Sequence, residues 1–150
     1  MAKLMELMAR AAASDADPEE LRAEIGRFAL EAETGPEERF VDAFRYLAEE
    51  SWPRRYQCTA VDALTGEFMV WDGSHGEALD RAVASSCAVP GVFPPITING
   101  RRYIDGGMRS GTNTDLAEGH QKVLVITLMS GNRMPVTDPR MERYQARAEA

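Results

Sequence analysis

The residues that build disulfide frameworks and metal sites are scarce in this chain. It carries two cysteines, Cys58 and Cys87, and two histidines, His75 and His120, in 150 residues. Two thiols without C-x-x-C spacing make neither a disulfide scaffold nor a zinc finger, and reduced thiols suit a cytoplasm. The histidines stand far apart among scattered carboxylates, so no helical or finger-type ligand spacing arises and no metal is expected. Basic runs are missing too. With a net charge of −7 and no Lys/Arg cluster, the chain is not expected to bind nucleic acid or to dock electrostatically on anionic lipid. No apolar run approaches the ~18 residues of a membrane span. Residues 4–13 are apolar-rich, but Glu6 and Arg10 interrupt them and no small-residue cleavage site follows, so they do not read as a signal peptide. The expectation is a soluble, cytoplasmic chain.

What is present suffices for a core. Hydrophobic residues make up 44% and charged residues 27%, ordinary values for a globular domain. The length suits a single domain spanning 1–150. Its charge is lopsided: residues 1–50 hold 13 acidic and 6 basic side chains, and the remainder balances. This half reads as helical cover with solvated acidic faces. Leu4, Leu7, Met8 and Ala11 recur at helical spacing. Asp17 is placed to cap a second helix, with Pro18 at its first position, Glu20 as capping-box partner, and Leu21, Ile25, Phe28, Ala29 and Ala32 along one face. A third helix is predicted from about Gly35, turning Phe40, Val41, Phe44, Leu47 and Ala48 inward.

From residue 52 to 129 the pattern becomes that of a core region. Residues 56–62 and 67–71 are β-prone runs joined across Ala63-Leu64-Thr65-Gly66, an antiparallel hairpin. Leu79, Ala82, Val83, Ser86 and Cys87 mark a short helix that Pro90-Gly91 ends, placing Cys87 on its apolar face as a buried thiol. Residues 96–98 and 101–104 pair around Asn99-Gly100, the strongest two-residue hairpin signal. Asn113 to Ala117 suggests a brief helix. Residues 122–129, KVLVITLM, are apolar on both faces, as in the interior of a parallel sheet covered by helices. A final helix is expected from Asp138-Pro139 onward.

The chemistry converges on Asp105-Gly106-Gly107. An acidic residue at a strand end, followed by two glycines, makes a carboxylate on a tight turn. Such a carboxylate serves as general base if it reaches a hydroxyl and if partial burial, here from Tyr103 and Ile104, raises its pKa from the ordinary ~3.9. Alone, Asp-Gly is a common turn dipeptide. Its flanks are more specific: the Trp52-Pro53 pair, the hairpin with Ala60-Val61-Asp62 and Thr65-Gly66-Glu67, the run Ala84-Ser85-Ser86-Cys87-Ala88-Val89-Pro90-Gly91, the Pro94-Pro95 segment, and Asn113 just after the turn. In this order they resemble the patatin-like phospholipases, over approximately residues 52–128 and extending to the helices before them.

That resemblance implies an α/β fold: part of a three-layer α/β/α domain with a mostly parallel sheet plus β-hairpins. It also implies a lipid acyl hydrolase working through a serine–aspartate dyad, with no metal or organic cofactor. The serine lies in a G-x-S-x-G elbow, the aspartate takes its proton, and a glycine-rich loop forms the oxyanion hole. Asp105 would be the proton acceptor, with Gly106 and Gly107 presenting it. Gly111 stands where relatives often carry proline.

No serine here meets the elbow pattern. Ser74 has Gly76 two positions after it but Asp72 two before, and it follows a hairpin strand. Ser85, Ser86, Ser110 and Ser130 fit no better, and no G-G-G-x-x-G loop occurs. In the family's order both would precede Met1, so the chain is expected to be the C-terminal portion of the domain and inactive alone. Val89, Phe93 and Pro94 are candidates for the mouth of an acyl pocket. The expected partners are a lipid ester substrate, a membrane surface touched peripherally, and another copy of the chain through exposed sheet surface. The alternative reading is a non-catalytic relative that binds lipid or protein.

Overall fold

A computed structural model of the chain describes residues 2–13 and 16–127. Two helices come first, α1 (Ala2–Ala12) and α2 (Pro18–Glu31), followed by a short α3 (Glu37–Val41) that tightens into a 3-10 segment, Asp42–Leu47. Four strands follow, interrupted by one helix: β1 (Cys58–Asp62), β2 (Phe68–Trp71), α4 (Leu79–Ser86), β3 (Ile96–Ile98) and β4 (Arg101–Asp105). Two 3-10 turns, Gly106–Met108 and Thr114–Ala117, complete the described elements.

The strands form one sheet in the order β2-β1-β4-β3, and all three ladders are antiparallel. Short connections impose this on the two hairpin ladders, β1–β2 and β3–β4. Asp62 closes the β1–β2 turn by accepting at Oδ1 from the Leu64 and Thr65 amides, both at 2.9 Å. Asn99 and Gly100 join β3 to β4 with φ of 49° and 77°, both in the left-handed region that a twist-matched two-residue hairpin requires. A parallel pair would need a crossover of a dozen residues or more.

Residue alternation gives the sheet two faces, and each buries a separate cluster. Leu4, Leu7, Met8, Ile25 and Ala29 pack with Val61, Ala63, Ile104 and Met108, so α1 and α2 cover one face. Val41, Ala82, Ala84 and Ala88 pack with Cys58, Ala60, Trp71, Ile96, Ile98 and Tyr103, so α3 and α4 cover the other. Helices on both sides of a sheet make a three-layer arrangement, as expected. The sheet between them departs from the mostly parallel expectation. That expectation came from the family resemblance and from residues 122–129, of which 122–127 join no strand; Leu124 and Ile126 are 86% and 78% exposed. An apolar run becomes a strand only when a neighbour offers backbone partners and a covered face. None is offered among the described residues. Residues 128 and 129, like the helix anticipated after Asp138, lie outside the described residues.

Two further expectations are modified. The third helix turns Val41 inward and half-buries Phe40, Phe44 and Leu47, but leaves Ala48 exposed, because the tighter 3-10 winding of residues 42–47 shifts the stripe. Cys87 is not a buried helical thiol. It occupies the C-cap of α4, with φ −110° and ψ 3°, and is exposed, because the helix ends one residue earlier.

Tight seams fix the layers. A side chain at Gly26 would collide with the backbone carbonyl of Ala63, so α2 lies directly on the end of β1. The buried Arg22 donates from Nε to the Gly66 carbonyl at 2.7 Å, pinning the same helix to the β1–β2 turn. On the opposite face Glu37 accepts from the Thr97 amide at 2.7 Å and its hydroxyl at 2.9 Å, and pairs with Arg81 at 3.0 Å. One carboxylate thus ties α3, α4 and β3 together.

Candidate active site

The Asp105 turn is built by its neighbours. Ala60 stands opposite Asp105 in the β1–β4 ladder, and the Asp105 amide donates to the Ala88 carbonyl just beyond α4 at 3.1 Å. Gly106 is buried against Thr59 so closely that a Cβ would strike Thr59's backbone and hydroxyl. Only glycine permits that approach. The chain then winds into the Gly106–Met108 turn, and Asp105 caps it: its Oδ1 accepts from the Gly107 amide at 2.7 Å.

This leaves the carboxylate oriented and only partly occupied. Asp105 is half-buried, and its second oxygen takes no hydrogen bond among the described residues. Burial raises its pKa above the ordinary carboxyl value, and the Gly107 hydrogen bond opposes that rise without cancelling it. The free oxygen can therefore receive a proton from an incoming hydroxyl.

Behind the turn lies a polar support. Asn113 takes the left-handed conformation, φ 46° and ψ 37°. Its Nδ2 lies 3.3 Å from Thr59 Oγ1, 3.3 Å from the Gly106 carbonyl and 3.1 Å from the Ser110 carbonyl. Arg109 donates to Asn113 Oδ1 at 3.0 Å, which fixes the amide's orientation. Arg109 also grips Asp115 with both terminal nitrogens, at 3.1 and 2.7 Å, and lies over the Phe68 ring at 4.1 Å. Asn113 belonged to the sequence motif. The roles of Thr59, Arg109 and Asp115 did not emerge from it, because their only signal is convergence of β1 with a later loop.

The remaining candidates separate. Ser74 Oγ is 3.3 Å from His75 Nδ1 on an exposed loop. Ser85 is wholly buried as a structural hydroxyl, accepting from Trp71 Nε1 at 3.1 Å and donating to the Ala82 carbonyl at 2.7 Å. Ser110 Oγ accepts from the Asn113 amide at 3.1 Å. Ser130 lies outside the described residues. Both thiols are raised: burial, reinforced by the neighbouring Cys87 and Glu77, pushes Cys58 up to about 12, and Cys87, exposed at its surface but partly desolvated by the atoms packed around its sulfur, is raised by that desolvation and then by the Asp105 charge. Neither suits a nucleophile. Of the acyl-pocket candidates, Val89 packs against the α1–α2 cluster, Pro94 is buried, and Phe93 stacks on Phe40 at 4.1 Å. A depression of about 440 Å³ lies elsewhere, over α2, lined by Asp17, Glu19, Glu20, Ala23, Arg27 and Thr65. Its charged lining does not suit an acyl chain.

A three-layer α/β protein presenting a half-buried aspartate on a strand-end glycine turn is the class this geometry defines. Comparison with known families places it more narrowly: residues 10–118 match the patatin-like phospholipase family, and the chain belongs to that family. It is 35% identical over 91 residues to an uncharacterized NTE family protein of Mycobacterium bovis and equally to two such proteins of Mycobacterium tuberculosis strains. These matches cover 53% of this chain and 24% of each relative, so the chain corresponds to about a quarter of the relatives' length.

Proposed function

We propose that this chain supplies the proton-accepting half of a lipid acyl hydrolase, with Asp105 as the base of a serine–aspartate dyad. The observation that carries the reading is the state of that carboxylate. One oxygen is pinned by the Gly107 amide, the other is open, and burial raises its proton affinity. Family membership supports lipid esters as the substrate class.

In this mechanism the open oxygen of Asp105 takes the proton of a serine hydroxyl as that oxygen attacks an ester carbonyl. The proton then passes to the departing alcohol. A water, deprotonated in the same way, releases the acyl group. Asn113 and Gly106 act by holding the turn still, which matters because small misplacements of a base cost large factors in rate. The nucleophile and the oxyanion donors are expected from sequence not present in this chain, and of Val89, Phe93 and Pro94 it is Phe93, 36% exposed, that remains open to line an acyl-side wall. The proposed setting is cytoplasmic, with lipid met at a membrane surface; separately, no helix among the described residues is long and apolar enough to cross a membrane. Exposed Val123, Leu124 and Ile126 favour association with a second copy or a complementary segment. The same exposed run favours the second reading, a non-catalytic lipid- or protein-binding module.

Two measurements test the proposal. The purified chain is expected to hydrolyse p-nitrophenyl esters no faster than its Asp105→Asn variant; turnover that this change abolishes would return the nucleophile to Ser74. The DNA upstream of Met1 is expected to encode an in-frame G-x-S-x-G elbow, and the longer product to lose hydrolysis on Asp105→Asn. Absence of an elbow would favour the binding module.

A further inference from the structure

The loop from Trp71 to Leu79 gathers chemistry that Asp105 does not use. It leaves β2 at Asp72 and crosses towards the β3–β4 hairpin, where the His75 carbonyl lies 3.4 Å from Asn99 Nδ2. It then returns to start α4. One potential ligand atom from each of Asp72, His75 and Glu77 lies within 4.8 Å of the other two. Proximity of acidic groups on a loop is not by itself a site. Glu77 supplies the independent observation.

Glu77 is only 6% exposed, and its carboxylate is tied down on one side alone. Oε1 accepts from the Gly73 amide at 2.8 Å, while Oε2 is buried with no hydrogen-bond partner among the described residues. The backbone of Glu77 is fixed separately, its carbonyl accepting from Trp52 Nε1 at 3.1 Å. A polar oxygen withdrawn from water without a partner carries a desolvation penalty, and a bound cation relieves it. Beside it, the ring of His75 rests edge-on against Trp71 at 5.9 Å, which restricts its orientation. Asp72 accepts at Oδ1 from the Ser74 amide at 2.9 Å, which orients its carboxylate on the loop.

We infer that Asp72, His75 and Glu77 form a binding site for a divalent first-row metal ion of the zinc type. Two carboxylates and one imidazole neutralise such an ion and match its preference for mixed oxygen and nitrogen donors. Three protein ligands leave a coordination position for water. The ion closes the loop between β2 and α4 and supplies the missing partner of Glu77 Oε2. The sequence concealed the site because Asp-x-x-His-x-Glu follows neither helical nor finger spacing; the bend of the loop creates the cluster.

The test is isothermal titration of the untagged, chelator-treated chain with zinc chloride, alongside thermal melting with and without the ion. Expected are one zinc per chain, a raised melting temperature, and little response to magnesium. His75→Ala and Glu77→Gln should each weaken binding by about tenfold or more, whereas His120→Ala should not. His75 is exposed, so its removal leaves the fold intact, and circular dichroism verifies this for both variants. Absence of zinc binding would overturn the site, as would binding unchanged by His75→Ala and Glu77→Gln or lost on His120→Ala.

Discussion

Asp105 carries a cost that its position makes measurable. Its carboxyl has a raised pKa in the folded state, chiefly through burial, so the folded protein holds that proton to higher pH than the unfolded chain. Below the ordinary value of 3.8 both states are protonated and the group imposes no penalty. As pH climbs through the raised value, the folded state must ionise a half-buried group, and stability from this residue is lost. Asp105→Asn keeps an oxygen for the Gly107 amide and removes the charge. The variant is therefore expected to melt above the parent at neutral pH, with the difference closing as pH falls towards 3.8. Thermal melts of both proteins across that range check it, and a difference that widens on acidification would contradict the assignment. The sequence pointed to this residue because Asp-Gly-Gly at the end of a β-run has few structural solutions. Thr59 and Arg109 were illegible there: each acts through a contact that exists only once β1, β4 and the following loop have folded together.

At the level of elements, legibility followed the reach of the interaction. Both hairpins could be read because their turns are local: Asp62 binds its own next turn, and Asn99-Gly100 requires no distant partner. Helices α1 and α2 showed their buried stripes for the same reason. The fate of residues 122–127 could not be read, since an apolar run states an appetite for burial without naming the neighbour that satisfies it. The α2–β1 seam lies between these cases. Gly26 lies inside helix α2, and in a helix free of such contacts alanine improves helicity over glycine by about 1 kcal/mol. Against the Ala63 carbonyl the sign reverses. Gly26→Ala is expected to destabilise the protein by about 1–3 kcal/mol, because backbone cannot move aside as a side-chain tip can. Urea unfolding measures this, and an increase in the midpoint would show that the seam is looser than the geometry indicates.

For the molecule as a whole, the three layers are drawn from distant parts of the chain. Residues 2–47 provide α1 and α2 on one face and α3 on the other; residues 58–105 provide the sheet and α4. Between them runs a connection, mostly exposed from Glu49 to Gln57, that contains Arg54 and Arg55. The Glu37 carboxylate, joined at once to Thr97 and Arg81, spans that connection from one side to the other. Its consequence concerns chain continuity: once folded, the two segments do not depend on the peptide bonds that link them. Brief trypsin treatment that nicks after Arg54 or Arg55 is expected to yield two fragments that co-elute in native gel filtration and separate only in denaturant. Immediate separation in buffer would mean that the link itself holds the layers together. A polypeptide that tolerates such a nick behaves as two interlocking pieces, each completing the other's buried surface.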